Sequence, residues 1–356
     1  MNKTGLTDGH KGWKIKSRSL NNTAVTTTAD ACDDPGPDTP DAGGPQGLPL
    51  ITVAICTRNR ARSLEQAVRS VLPQISHESE VLIVDNGSTD DTARTAATLA
   101  ASNPRVTACR EDRLGIAVAR NTALAQARVE YVLFFDDDEI AEAGWLDAYR
   151  RFLSRPPSEK LASVGGEVIP HFEITPPAWI NPANFVMNFG SQARRLDGDS
   201  FPGCGNCAYH RQRALGVGGF CTRLARYEES ELSMRLQRAG FEIWWLPGAS
   251  ILHLIPADHL NLRWLAHIAF SEGRAVALVR LRGIGPKIAR IPYVLGRLAL
   301  APVHCLLNLF AAGLLLPKRR GQVAARSLLR AVRIAGQGWQ LLMETASTLF
   351  RSHSED

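Results

Sequence analysis

Tyr131-Val132-Leu133-Phe134-Phe135-Asp136-Asp137-Asp138-Glu139 is the stretch on which the fold turns. Five apolar residues, mostly β-branched or aromatic, read as a strand buried on both faces. Four carboxylates then follow without a gap. Adjacent negative charges repel, so a strand end tolerates them best when a cation sits there. Oxygen-only donors suit a hard divalent ion, Mg²⁺ or Mn²⁺. On an extended backbone Asp136 and Asp138 share one side and Asp137 points away. The plainer alternative is a solvated acidic loop that caps the next helix.

Upstream of this stretch, strands alternate with helices. Leu50–Cys56 reads as a first buried strand, followed by the polar loop Thr57-Arg58-Asn59-Arg60. Ser63, with Gln66 three residues on, has the spacing of a capping box for the next helix. A second strand, Glu80–Val84, runs into Asp85-Asn86-Gly87-Ser88-Thr89-Asp90-Asp91-Thr92 and a helix to about Ala101. A short strand near Arg105–Ala108 and a helix over Ile116–Arg128 complete this half. In such sheets ligands gather at the carboxyl ends of strands, so the loops 57–60, 85–92 and 136–139 are expected to share one rim.

Downstream, Val164–Ile169 reads as a strand, 170–200 as a Pro- and aromatic-rich loop, and Phe201–Tyr209 as a Gly-rich loop entering a strand. Arg211 opens a helix. Glu228–Ala239 is amphipathic with Leu232 and Leu236 inward. Phe241–Trp245 and Ser250–Leu254 read as two further strands.

Six ordered signals within roughly 50–255 resemble the inverting family 2 glycosyltransferases. These are Ile55-Cys56-Thr57-Arg58-Asn59-Arg60; Val84-Asp85-Asn86-Gly87-Ser88-Thr89-Asp90; Gly115-Ile116-Ala117-Val118-Ala119-Arg120-Asn121; the Asp136-x-Asp138 signature; Gly203-Cys204-Gly205-Asn206; and Glu228-Glu229. The resemblance implies an α/β GT-A fold, a mixed Rossmann-like sheet flanked by helices, with a C-terminal apolar helical region beyond it.

It also implies a site. Thr57, Asn59, Arg60, Asp85, Arg120, Asn121 and Asp136 fall at donor-nucleotide positions. Asp136 and Asp138, with His253 nearby, fall at metal positions for Mg²⁺ or Mn²⁺. Gly205, Asn206 and Glu228 fall on the acceptor side, and Glu229 at the general base, where the family usually has Asp. The extra methylene of Glu shifts the reach of a base by about 1 Å. The donor implied is a nucleotide sugar, in particular a UDP-sugar; the acceptor is a glycan or lipid-linked hydroxyl. Inversion and a place in cell-envelope or exopolysaccharide synthesis complete the expectation.

Rival constellations are weaker. Cys204, Cys207, His210 and Cys221 could form a structural zinc site, but only one close Cys pair is present. A sugar-phosphate nucleotidyltransferase would want a Gly-rich triphosphate loop where Thr57-Arg58-Asn59-Arg60 stands. An aspartyl-nucleophile phosphatase would want its Asp-x-Asp at the first strand, with Thr two residues on, where Ile140 stands. A catalytically silent scaffold has the Glu229 departure in its favour.

Composition frames these readings. The 356 residues carry a formal net charge of +6 and seven cysteines, an odd number that favours no disulfide framework and fits a reducing cytosol. No basic patch interleaved with aromatics points to nucleic acid. Residues 1–48 are polar and rich in Pro and Gly, a composition expected to be a disordered leader, and 49–255 the catalytic domain. Residues 256–356 turn apolar and Arg-rich. Leu298–Leu316 nearly reaches across a hydrocarbon core, with Lys287 and Arg290 before it and Lys318, Arg319 and Arg320 after it. The expectation is attachment at the cytoplasmic face of the plasma membrane, as a peripheral, re-entrant or single-span segment; a helix buried on the catalytic domain is the alternative.

Overall fold

The chain was analysed as a computed structural model that describes residues 51–76, 79–198, 200–283, 287–315 and 321–351. The expected leader, residues 1–48, lies outside the described residues. The element order is β1 (Ile51–Thr57), α1 (Ala61–Val71), β2 (Ser79–Asp85), α2 (Thr92–Ser102), β3 (Val106–Arg110), α3 (Ile116–Gln126), β4 (Tyr131–Phe135), β5 (Glu139–Ala141), α4 (Trp145–Ser154), β6 (Leu161–Phe172), β7 (Arg194–Leu196), β8 (Asn206–His210), α5 (Arg211–Gly216), α6 (Glu228–Arg238) and β9 (Glu242–Ile255). Three long helices follow: α7 (Leu262–Gly283), α8 (Lys287–Leu315) and α9 (Gly321–Arg351).

The described strands form one mixed sheet in the order β3-β2-β1-β4-β8-β6-β9-β5, with β7 paired to β9. The first four strands in this order are mutually parallel; β8 then pairs antiparallel with both β4 and β6. Every residue of β1 and of β4 is buried, as strands covered on both faces require. Alternate residues of β1 feed opposite layers. Ile51, Val53 and Ile55 pack with Leu64 and Val68 of α1 and with Trp145 and Tyr149 of α4. Ala54 and Cys56 pack with Ala117, Ala123 and Leu124 of α3 and with Leu232 and Leu236 of α6. The period of two along a strand thus divides the core into two layers around the sheet.

Several expectations needed correction. Ser63 lies inside α1 and caps nothing; Arg60 is the residue before the helix, and its own N–H is taken by Thr92 Oγ1 at 2.8 Å. The two expected strands at 241–254 are one strand, β9, kept whole by register shifts against β6 at Leu161/Ser163 and Gly165/Glu167. The loop 170–200 holds β7 and a short 3₁₀ turn, Pro182–Phe185. β5 was not foreseen: three residues straight after an acidic run carry no pattern. Its pairing with β9 sets Glu139 opposite His253.

α7, α8 and α9 pack on one another, α9 in contact with both others. The stretch Pro292–Ala312 of α8 is long and apolar enough to cross a membrane, and none of its most apolar window is buried.

Candidate active site

The rim is assembled by backbone and side chain together. Thr57 and Asp85 are register partners at the ends of β1 and β2, and Asn86 N donates to Thr57 O at 2.9 Å. Asn59 is held at φ +53°, a conformation Asn tolerates better than most residues. It ties the two loops: its N–H donates to Ser88 Oγ at 2.9 Å and its Oδ1 accepts from Thr89 N at 2.8 Å. Buried Asp85 accepts from Ser88 N through Oδ1 and from Arg110 Nη1 through Oδ2, both at 3.1 Å.

The acidic run is not extended. A turn closes it, with Glu139 N donating to Asp136 O at 3.3 Å. Within this turn Asp137 is buried against the end of β1. There it accepts from Thr57 Oγ1 at 2.6 Å and Arg60 Nη1 at 3.1 Å. The same Arg60 nitrogen donates to Asp138 Oδ2 at 2.8 Å. Burial, only partly offset by Arg60, pushes Asp137 up to about 7. Glu139 is also buried, accepts from Asp136 N at 2.9 Å, and is raised well above the usual carboxylate range by burial and by Asp136.

Gly205 explains how these carboxylates fit: a Cβ there would collide with Glu139 Oε1 and lie 2.6 Å from Asp136 Oδ2. Any side chain at this position would evict an acid.

The second charged layer is built on Arg120 of α3. Its buried guanidinium donates to Asp136 Oδ1 at 3.0 Å and to Glu228 Oε1, between the rings of Phe134 and Phe220. Glu228 is 3% exposed, and its Oε2 has no hydrogen-bond partner among the described residues. Half-buried Glu229 follows it at the start of α6. Its pKa is raised to about 7, first by burial and then by Glu228 beside it.

Three of the expected site residues are engaged within the protein itself. Asn206 is 1% exposed and its amide is saturated. Oδ1 accepts from Trp145 Nε1 at 2.7 Å and Tyr149 Oη at 2.9 Å; Nδ2 donates to Glu167 O at 2.9 Å and Ala249 O at 2.8 Å. It pins α4, β6, β8 and β9 together and has nothing left for an acceptor. Glu228 is buried under Arg120. Asn121 closes a two-bond clasp on the backbone of Phe220, at 2.8 and 2.7 Å, which tethers that loop.

The oxygen donors at the rim fit a divalent cation of the magnesium type. Arg60 and Arg120 already supply positive charge to Asp138 and Asp136, the two carboxylates that would hold it. His253 Nε2 lies 3.9 Å from Asp138 Oδ1, and among the described residues no three His, Cys, Asp or Glu close into a metal cage. A two-carboxylate site of this kind suits an ion that keeps waters and shares substrate phosphates.

Residues 52–216, which carry this rim up to β8, match the family model described as glycosyl transferase family 2. This is a family 2 glycosyltransferase domain. The chain is 24% identical over 274 residues to the succinoglycan biosynthesis protein ExoA of Rhizobium meliloti (strain 1021), covering 73% of this chain and 79% of the relative. It is 28% identical over 217 residues to the O-antigen chain rhamnosyltransferase WbaN of Salmonella anatum, 58% of this chain and 66% of that one. Among solved structures it is similar to the mannosyltransferase PcManGT from Pyrobaculum calidifontis in complex with GDP-Man and Mn²⁺. That similarity has a TM-score of 0.51 at 17% identity, over 87% of this chain and 80% of that chain. The fold of the glycosyltransferase domain is GT-A, as its motifs implied.

Among the described residues the rival zinc constellation does not form. Cys204, Cys207 and Cys221 are buried, Cys207 Sγ sits 3.0 Å from Ser163 Oγ, and His210 Nδ1 caps α5 by accepting from Arg213 N. What sequence reasoning missed is the work of Glu139, Arg110 and Asp137. A run of acids announced charge at the rim but not which acid faces inward.

Proposed function

We propose that the chain is an inverting transferase that moves a sugar from a nucleoside diphosphate donor, a UDP-sugar, to a hydroxyl of a glycan or lipid-linked acceptor. Residues 49–255 are the catalytic unit and 256–356 the part that meets the membrane. The observation that carries this reading is the meeting of Asp85, Arg60, Asp136, Asp138, Arg120 and Glu229 at neighbouring strand ends and the start of α6. A base edge would take up Asp85 by displacing half-exposed Arg110. Arg60 and Arg120 would steady the diphosphate. A divalent cation on Asp136 and Asp138 would supply Lewis acidity to the leaving diphosphate.

Glu229 then takes the proton of the acceptor hydroxyl as that oxygen bonds to the anomeric carbon. The carbon–oxygen bond to the diphosphate breaks on the opposite side. The nucleoside diphosphate leaves with the electron pair, and the anomeric configuration is inverted. Burial beside Glu228 favours the proton-accepting role, because a raised pKa makes a carboxylate a better base.

The names of the relatives, a succinoglycan biosynthesis protein and an O-antigen chain rhamnosyltransferase, support a cell-envelope polysaccharide or exopolysaccharide as the product. The uncovered apolar stretch of α8 supports attachment to a membrane, on our reading the cytoplasmic face of the plasma membrane. The test is thermal stabilisation by UDP-, GDP-, dTDP- and CMP-sugars, each with Mn²⁺ and with EDTA. A metal-dependent shift with UDP-sugars, lost in Asp138→Asn, is expected. A shift with another nucleotide would replace the donor, and no shift with any would overturn the reading.

A further inference from the structure

The turn that carries Glu228 and Glu229 is not held by the catalytic sheet alone. Tyr227, the residue before α6, stands at φ +63°. A left-handed conformation costs a non-glycine residue on the order of 1 kcal/mol or more, and it persists only where the surroundings over-determine it. Those surroundings come from the C-terminal helices. The Tyr227 ring packs in a cluster with Cys221, Leu224 and Val279 of α7, and its hydroxyl accepts from Arg333 Nη2 of α9 at 3.2 Å.

Arg333 has little freedom of its own. Its Nε lies 3.9 Å from Glu272 Oε2 of α7. A Cβ on Gly273 would run into the Arg333 carbonyl, and one on Gly336 into the Phe270 carbonyl, so α7 and α9 touch backbone to backbone at this level. Eleven residues further along α9, about three turns and hence on the same face, Glu344 lies 3.9 Å from Arg223. The loop leading to Glu229 is therefore met by α9 at two points, Arg223 and Tyr227.

We propose that Arg333 is a positioning residue: through Tyr227, the helix α9 fixes the left-handed turn that presents Glu229 to the reacting hydroxyl. The inference rests on the reading of Glu229 as base, but its test is separable from that reading. The reporter is the amide of Glu231, which donates to the Tyr227 carbonyl at 3.0 Å. Hydrogen exchange on the full-length chain would be followed in the peptide 228–236 for wild type, Tyr227→Phe, Arg333→Met, the double variant and Arg333→Lys.

Expected is exchange about tenfold faster in that peptide for Tyr227→Phe and Arg333→Met. The double variant should be no faster than either single one. Arg333→Lys should recover part of the protection, and the strands should stay at wild-type rates. In transfer, kcat should fall about tenfold with the donor KM unchanged, the mark of a misplaced base. Wild-type exchange of 228–236 in Tyr227→Phe and Arg333→Met, or loosening spread evenly over α7 and α9, would overturn the proposal. If exchange shifts as expected while wild type transfers no sugar to any acceptor, the positioning holds and the assignment of Glu229 as base falls.

Discussion

Gly205 leaves no room for a methyl group beside Glu139 and Asp136. Gly205→Ala should therefore weaken metal-dependent donor stabilisation and lower stability by about 1–3 kcal/mol, read by thermal shift and urea unfolding. Asn206 separates a structural from a substrate-binding residue. Asn206→Ala strands the Trp145 indole N–H and removes the donor to the Glu167 and Ala249 carbonyls, while Tyr149 Oη keeps the Asn206 carbonyl, so it should cost about 3 kcal/mol in chemical denaturation. An unchanged stability with a raised acceptor KM would restore the acceptor-binding reading. Glu229→Gln should keep donor binding and lose roughly 10²–10⁴ in transfer rate. Because a base works deprotonated, the wild-type rate should climb as pH rises through about 7 and level off above it. At this scale the sequence told which residue types line the rim but not their duties. Asn121, Asn206 and Glu228 look like ligand residues in a motif, and their hydrogen bonds go to Phe220, to Trp145 and Tyr149, and to Arg120.

Elements were more legible than residues where the pattern was long. The apolar runs of β1, β2 and β4 are as buried as their composition required, and the Leu232/Leu236 face of α6 points inward. Short elements escaped because local sequence does not choose them: β5 exists through its pairing with β9, and the start of α1 is set by Thr92, 32 residues away. The α7–α9 contact belongs to this scale. Gly336→Val would drive a side chain into the Phe270 carbonyl and should part the two helices. A drop in the helical melting transition, with the sheet's exchange protection unchanged, would check it.

For the whole molecule, the open question raised by the fold is what covers α8. Leu300, Val303, Leu306, Leu307 and Phe310 are all exposed on it. Leu306 and Phe310 lie one turn apart on one face, and replacing both with Glu should move the full chain from floated liposomes to the soluble fraction, since charge on a membrane-facing helix costs about 2.5–3.5 kcal/mol per residue at the bilayer centre. Flotation equal to wild type would argue for attachment elsewhere. The central claim is that the rim transfers sugar with inversion and that Glu229 takes the proton. Its most direct measurement is time-resolved proton NMR of the sugar released to water from the UDP-sugar that stabilises the chain best, with Mn²⁺ present. The expected first product is the anomer opposite to that of the donor, reduced at least about a hundredfold in Glu229→Gln. A first product of retained configuration, or undiminished release by the Gln variant, would contradict it.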